Sequence, residues 1–244
     1  MSSAIEIHQL FKLDEFEVVL RLQGEIWGFA DVELLPLRFF VVVSKVGGHV
    51  FGAYDSGRMI GFCFAIPGVK PNGQAYLHSH MLGVLPEYRN SGIGRRLKLR
   101  QRDEALARGI KLIEWTFDPM ELKNAFFNIE RLGAIVRRYY ENQYGVTQSP
   151  LHGGLPTDRC IAEWWIDSPR VRRVLEGGRP ATQAVERIAY PADIATIRAE
   201  KRECAREIQR TNGQKFMDTF ARGMAVTAFE RSETEGAYLL EPYE

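Results

Sequence analysis

Residues Pro86 to Gln101 read PEYRNSGIGRRLKLRQ, with two glycines one residue apart, arginines on both sides and no acidic side chain before Asp103. Gly92 and Gly94 allow a tight turn whose backbone N–H groups come close to an anion, and a helix starting behind them adds the partial positive charge of its N-terminus. The same string also suits a turn that merely starts a helix, so its surroundings must decide. Upstream, His78 and His80 sit two residues apart in an extended-looking run. Period-two alternation puts both on one strand face, where a neutral imidazole can take a proton from an attacking amine. Downstream, Asp118 follows WTF at the end of another strand-like run and precedes Pro119, which suits either a base at a strand end or a helix cap.

The elements that must position these residues are legible from hydrophobic period and turn chemistry. Residues 5–10 read as a strand, and Asp14 is the expected cap of an amphipathic helix reaching Trp27. Leu34 to Val46 is expected to be a helix with a glycine stop. HVFGAY and MIGFCFAI around DSG form a hairpin, and Tyr76 to Val84 makes a third strand. The glycine turn then lies between that strand and a helix from Ser91 to Arg108, and KLIEWTF follows as a strand, so the crossover calls for a parallel pair. DPMELKNAFFNIERLG reads as a helix with Gly133 as its stop, and RCIAEWWI as a further strand. From Ser168 the texture becomes basic and Gly/Pro-bearing, as in a linker. A short strand near Ile188, one long charged helix from Asp193 to Arg222 and a closing strand pair are expected beyond it.

The chain has 244 residues, 32 basic against 31 acidic, for a net charge of +1. That balance gives no global attraction to nucleic acid or membrane, so any anion site is local. Cys63, Cys160 and Cys204 lie far apart without metal-ligand spacing, and no metal is expected. The longest apolar run, FFVVV, is too short to span a bilayer, and no basic segment followed by an apolar core opens the chain. A cytoplasmic location is the expectation.

MLGVLPEYRNSGIGRRL resembles the acyl-CoA-binding signature of the GNAT acyltransferase superfamily, with Arg89, Gly92 and Gly94 at the signature positions. NAFFNIERLG resembles that superfamily's Asn-Ala helix ending in Leu-Gly. The resemblance implies an α/β fold, a mixed splayed sheet flanked by helices, over residues 1–168, with a small C-terminal α+β extension over 169–244. It implies acetyl-CoA or another acyl-CoA as cosubstrate. Its phosphates would lie on the backbone from Arg89 through Asn90, Ser91, Gly92, Ile93 and Gly94 to Arg95. The pantetheine would lie along Leu82, Gly83 and Val84, with Asn124 near the cofactor. Arg95, Arg96 and Lys98 can hold phosphates or form a solvated helix face.

Many members carry a tyrosine acid four residues before the Leu-Gly glycine; here that position is Ile129. Tyr140 is the nearby replacement, His80 and Asp118 are the candidate bases, and Glu25, Trp27 and Arg159 are candidate acceptor-site residues. SHMLGVLPEYR, WTFDP, LPTDR and EWW resemble a narrower branch associated with N-succinylation of amino acids, which would imply a small amino acid as acceptor and succinyl-CoA as donor. The partner is then a small-molecule amine, not nucleic acid or membrane, and the stripe on the late helix either covers the sheet or makes a homodimer contact. An acyl-CoA-binding regulatory module and a protein N-acetyltransferase are the competing readings.

Overall fold

The computed structural model describes residues 4–29, 31–146 and 153–243. Contacts divide the chain into two compact units, residues 1–114 and 115–244, and the division falls inside one strand, upstream of the change of texture at Ser168. Among the described residues there are ten strands, in mixed parallel and antiparallel pairing.

In the first unit, β1 (Glu6–Gln9) leads to α1 (Leu13–Trp27). Asp14 lies in the first turn of α1, and the cap comes from Glu15 instead, whose Oε2 accepts the N–H groups of Phe11 (2.9 Å) and Lys12 (3.0 Å). The apolar stretch after it is a helix, α2 (Leu37–Lys45), ended before Gly47 at φ +89°. β2 (His49–Asp55) and β3 (Arg58–Val69) form the expected hairpin, with Ser56 and Gly57 both at positive φ, as a two-residue turn of matching twist requires. β4 (Ala75–Val84) lies antiparallel to β3, and the start of β5 (Leu112–Phe117) runs parallel to β4, giving the order β1-β2-β3-β4-β5. The crossover helix is α3 (Ile93–Ala107). Phe16, Val19, Phe40, Phe51, Phe62, Phe64, Ile93 and Leu97 belong to one buried cluster of this unit.

One detail of β4 sets up the site, beyond its parallel pairs with β5 at Leu77/Ile113 and His78/Glu114. Against β3 the register shifts: Phe64 pairs with Met81 and Ala65 with Ser79, which leaves His80 as the extra residue of a β-bulge.

In the second unit, α4 (Leu122–Phe126) continues into a π-helical turn, Phe127–Arg131, ended by Gly133 at φ +78°. β6 (Ile135–Tyr140) has no hydrophobic alternation to announce it, because Arg137 and Arg138 interrupt the pattern. Both guanidiniums pair with Glu163, at 2.6 and 3.3 Å, across the ladder to β7 (Arg159–Trp165). The stretch read as a linker folds as α5 (Pro169–Leu175), capped by the Ser168 hydroxyl. β8 (Glu186–Pro191) follows, and the single long helix is two, α6 (Ile194–Glu200) and α7 (Arg202–Ala221), because Lys201 (φ −132°, ψ 62°) leaves helical geometry between them. β9 (Met224–Arg231) and β10 (Glu235–Pro242) close the order β7-β6-β9-β10-β8. Tyr139, Phe216, Tyr190, Tyr238 and Phe229 stack edge-on or face-on at its centre.

Ser168→Ala removes the hydroxyl that accepts the Val171 N–H, and is expected to lower stability by about 1 kcal/mol in urea unfolding. A residue in a true linker would give no change.

Candidate functional site

The site in the first unit is built at the end of β4. Arg89 does not point its charge outward: its Nη2 donates to the carbonyl of Ile26 (3.1 Å) and its Nε to that of Val84 (3.4 Å), which ties the end of α1 to the end of β4. That clasp fixes where the turn begins. Asn90 (φ +63°) and Gly92 (φ +84°) then turn the chain into α3, and Gly92 is its N-cap with no side-chain capping bond. No acidic side chain lies in the first turn. The first intrahelical bond is Arg96 N–H to Gly92 O at 3.1 Å, and the N–H groups of Ile93 and Gly94 precede it at the start of the helix. A Cβ on Gly92 would meet nothing within 4 Å, and one on Gly94 only Leu82 Cδ2 at 3.4 Å. The protein itself therefore does not demand glycine at 94; the open space in front of it suits an incoming anion such as a pyrophosphate.

Leu82, Gly83 and Val84 are the last residues of β4. Gly83 is a packing glycine: a Cβ there would come within 2.7 Å of the Trp27 indole. Trp27 thus lies directly against β4, with Phe62 edge-on at 5.8 Å, whereas Glu25 is exposed. His80 is exposed, flanked by the rings of Phe64 (5.4 Å) and His78 (5.7 Å). Desolvation lowers the pKa of His80, and that of His78 to about 4 with the charges of His80, Lys98 and Lys70 adding to it. Both imidazoles are neutral at pH 7, and His80 is the one open to solvent.

Two basic side chains of α3 are engaged within the unit. Arg96 Nη2 donates to the Ile5 carbonyl at 2.5 Å. Lys98 is neither a phosphate ligand nor part of a solvated face: it is buried, its Nζ donating to Ser79 Oγ at 2.7 Å, and desolvation brings its pKa down to about 7. Sequence reasoning missed Lys98 and Ser79, since a lysine between Leu97 and Leu99 gives no sign of which way the helix faces. His49 lies fully buried nearby on β2, its pKa lowered to about 3 by desolvation and by Arg108, Lys98 and Arg100.

The second unit holds the other candidates. Asp118 Oδ1 accepts the Met120 N–H (2.8 Å) and Oδ2 pairs with Arg198 (2.9 Å), which also binds Glu121. Burial pushes the Asp118 carboxyl up against these partners. The aspartate is thus both a turn cap and one end of a link to α6. Ile129 is fully buried and offers no proton. Tyr140 is exposed on β6; its neighbour Tyr139 is buried, donates to Asp158 Oδ2 at 2.5 Å, and has its hydroxyl pKa raised well beyond the ordinary range by burial. Arg159 is buried with its guanidinium 5.5 Å from the Tyr144 ring, and Tyr144 shares a hydrogen bond with Thr116 at 3.0 Å. Asn124 is exposed on α4.

Residues 46–141 match a family model described as an acetyltransferase (GNAT) domain, a span that contains β4, the glycine turn and α3. No curated protein matches. Among solved structures, the chain is similar to an N-acetyltransferase from Staphylococcus aureus (16% identity, TM-score 0.56, 68% of this chain and 100% of that one). It is also similar to an Escherichia coli N-acetyltransferase named for the alanine of a ribosomal protein (20% identity, TM-score 0.52, 68% and 96%). At these identities the likeness is one of fold: an α/β GNAT fold with a mixed sheet, to which this chain adds about a third of its length.

Gly94→Asp is expected to fold normally, because the new side chain meets only Leu82, and to weaken acetyl-CoA binding at least about tenfold in calorimetry through lost space and charge repulsion. For His49, the unfolded chain takes up a proton below pH 6.5 but the folded one only near 3, so stability is lost as pH falls between those values. Between pH 7 and 5 that group alone removes about 2 kcal/mol, and the loss seen in urea unfolding is expected to shrink by about that amount in His49→Phe.

Proposed function

We propose that this chain is a GNAT-type acyl-CoA-dependent N-acetyltransferase that moves the acyl group of acyl-CoA to the primary amine of a small amino acid or a related small molecule. The observation that carries the cofactor half is the N-terminus of α3, which has no side-chain cap and no acidic side chain in its first turn and follows the end of β4. Acetyl-CoA, when bound, supplies an activated thioester carbonyl.

The residues of β4 and the turn then have separable tasks. Backbone donors from Asn90 to Arg95 hold the pyrophosphate, with Arg89 fixing the turn that presents them. The backbone of Leu82 to Val84 pairs with the pantetheine and offers N–H groups to the carbonyl oxygen. His80, neutral and exposed, takes the proton from the attacking amine. Glu25, exposed on α1, supplies a carboxylate for the acceptor's ammonium. The donor can extend to succinyl-CoA, and the E. coli fold neighbour keeps a protein N-terminus among the acceptors to be tried. A second reading, an acyl-CoA-binding module without turnover, draws on Ile129: the side chain at the usual acid position is buried and apolar.

The test is release of free CoA from acetyl-CoA or succinyl-CoA with a panel of amino acids, their decarboxylated amines and short peptides. Turnover with amino acids supports the proposal, and tight binding with no turnover on any acceptor supports the module. For His80, whose pKa lies below 6.5, kcat is expected to rise with pH through that lowered value and then level. His80→Gln should abolish the rise and cost about a hundredfold in kcat.

A further inference from the structure

We infer that Lys98 is a positioning residue for acyl transfer, holding Ser79 from inside α3 and thereby fixing how the bulged His80 stands on β4. The inference rests on reading His80 as the base. Its geometry is local to the first unit. Lys98 Nζ donates to Ser79 Oγ at 2.7 Å, and that hydroxyl donates in turn to Gln101 Oε1 at 2.9 Å. All three side chains are buried. Lys98 and Gln101 are three residues apart, on one face of α3.

Ser79 is where β4 most needs a hold. The pairing with β3 carries a register shift between Ser79 and Met81. A bulge of this kind re-aims one side chain, and its position must be pinned by something other than the ladder it interrupts. The Lys98–Ser79–Gln101 chain supplies that pin from beneath. It also ties the bulge to the helix whose first turn carries the open N–H groups, since Lys98 lies within the second turn of α3. One short rigid helix thus sets both the phosphate turn and the base.

The network is expensive by ordinary standards of packing. Gln101 Nε2 has no partner among the described residues, and neither has either ring nitrogen of His49. The charged and titratable groups that bear on the cluster are Cys63 of β3, His49 of β2, His78 of β4, Lys70 beyond β3, and Arg100 and Arg108 of α3. An apolar residue of lysine's length would fill the same space without the desolvation.

The experiment uses the full chain with Lys98→Met and, from the other side of the bond, Ser79→Ala. NMR titration of the His80 ring and hydrogen exchange at the amides of Ser79 and Met81 report the bulge independently of activity. In each variant the His80 titration is expected to move back toward 6.5 and exchange at those amides to quicken by about tenfold or more. CoA affinity is expected to stay within about threefold, while kcat falls by about tenfold and the acid limb of its pH profile follows the shifted His80. The double variant should be no worse than the single ones, because both remove the same bond. An unmoved His80 titration with unchanged exchange in a folded Lys98→Met or Ser79→Ala overturns the inference. Separately, a His80→Gln enzyme that keeps its rate overturns the base assignment, and the ring titration and exchange still decide whether Lys98 pins the bulge.

Discussion

The constraint on which the first unit turns is an unfilled helix N-terminus. At α1 the start is completed by the helix's own residue, Glu15, which reaches back over it. At α3 the N-cap is a glycine in left-handed geometry, the first turn has no carboxylate, and Arg89, the nearest charge before it, is turned inward to the carbonyls of Ile26 and Val84. A helix of this length that keeps its partial positive end open gives up the few tenths to 2 kcal/mol that a serine or aspartate cap would contribute. The return is a place where an anion completes the helix. The clasp by Arg89, the length of β4 and the bare backbone at Gly92 and Gly94 all serve to keep that end accessible.

A second cost lies underneath. Burial brings the pKa of Lys98 down to about 7, and burial together with Arg108, Lys98 and Arg100 brings that of His49 down to about 3. These charges and dipoles face the underside of β4 and its neighbours, not the cofactor side. A sheet packed only by leucine and valine against α3 would be more stable, and its bulge would be held by nothing but the ladder it breaks. The buried polar cluster therefore exchanges stability for a defined strand geometry at a place where β4 has departed from regular pairing with β3.

Much of this was legible in the chain itself, and what was not had physical reasons. The hairpin, the crossover and the glycine turn follow from local chemistry, since Ser56-Gly57 and Gly92 carry their conformations with them. Pairing between distant residues is invisible to such reading. Asp118 reads as a base or a cap until Arg198, eighty residues on, is seen to hold its second oxygen. β6 was hidden because Arg137 and Arg138 break the alternation and find their compensation in Glu163 on another strand. The bulge at His80 was hidden as well, because period two assumes a register that β3 does not give. His78 and His80 nevertheless do lie ring to ring, so the expectation of proximity held although its reason was incomplete.

The C-terminal third also reads differently once its hydrogen bonds are known. A segment beginning with SPRVRR and ending in two strands looks like an appendage attached by a linker, yet Val226 of β9 pairs with Val136 of β6 and so continues the ladder to which β7 belongs. Arg170 bridges the carbonyls of Gly133 and Thr227, and Gln209 donates to that of Pro156 at 2.8 Å. Phe216 stacks on Tyr139, whose hydroxyl is held by Asp158 just before Arg159. Removing everything after Ser168 would strip one edge of that sheet and expose the aromatic cluster, so the tail's influence on Asp118, Asp158 and Arg159 cannot be separated from its share of the second unit's core. The geometry of Asp118 is set by Arg198, eighty positions further along the chain, through a contact that is itself part of the packing of the unit.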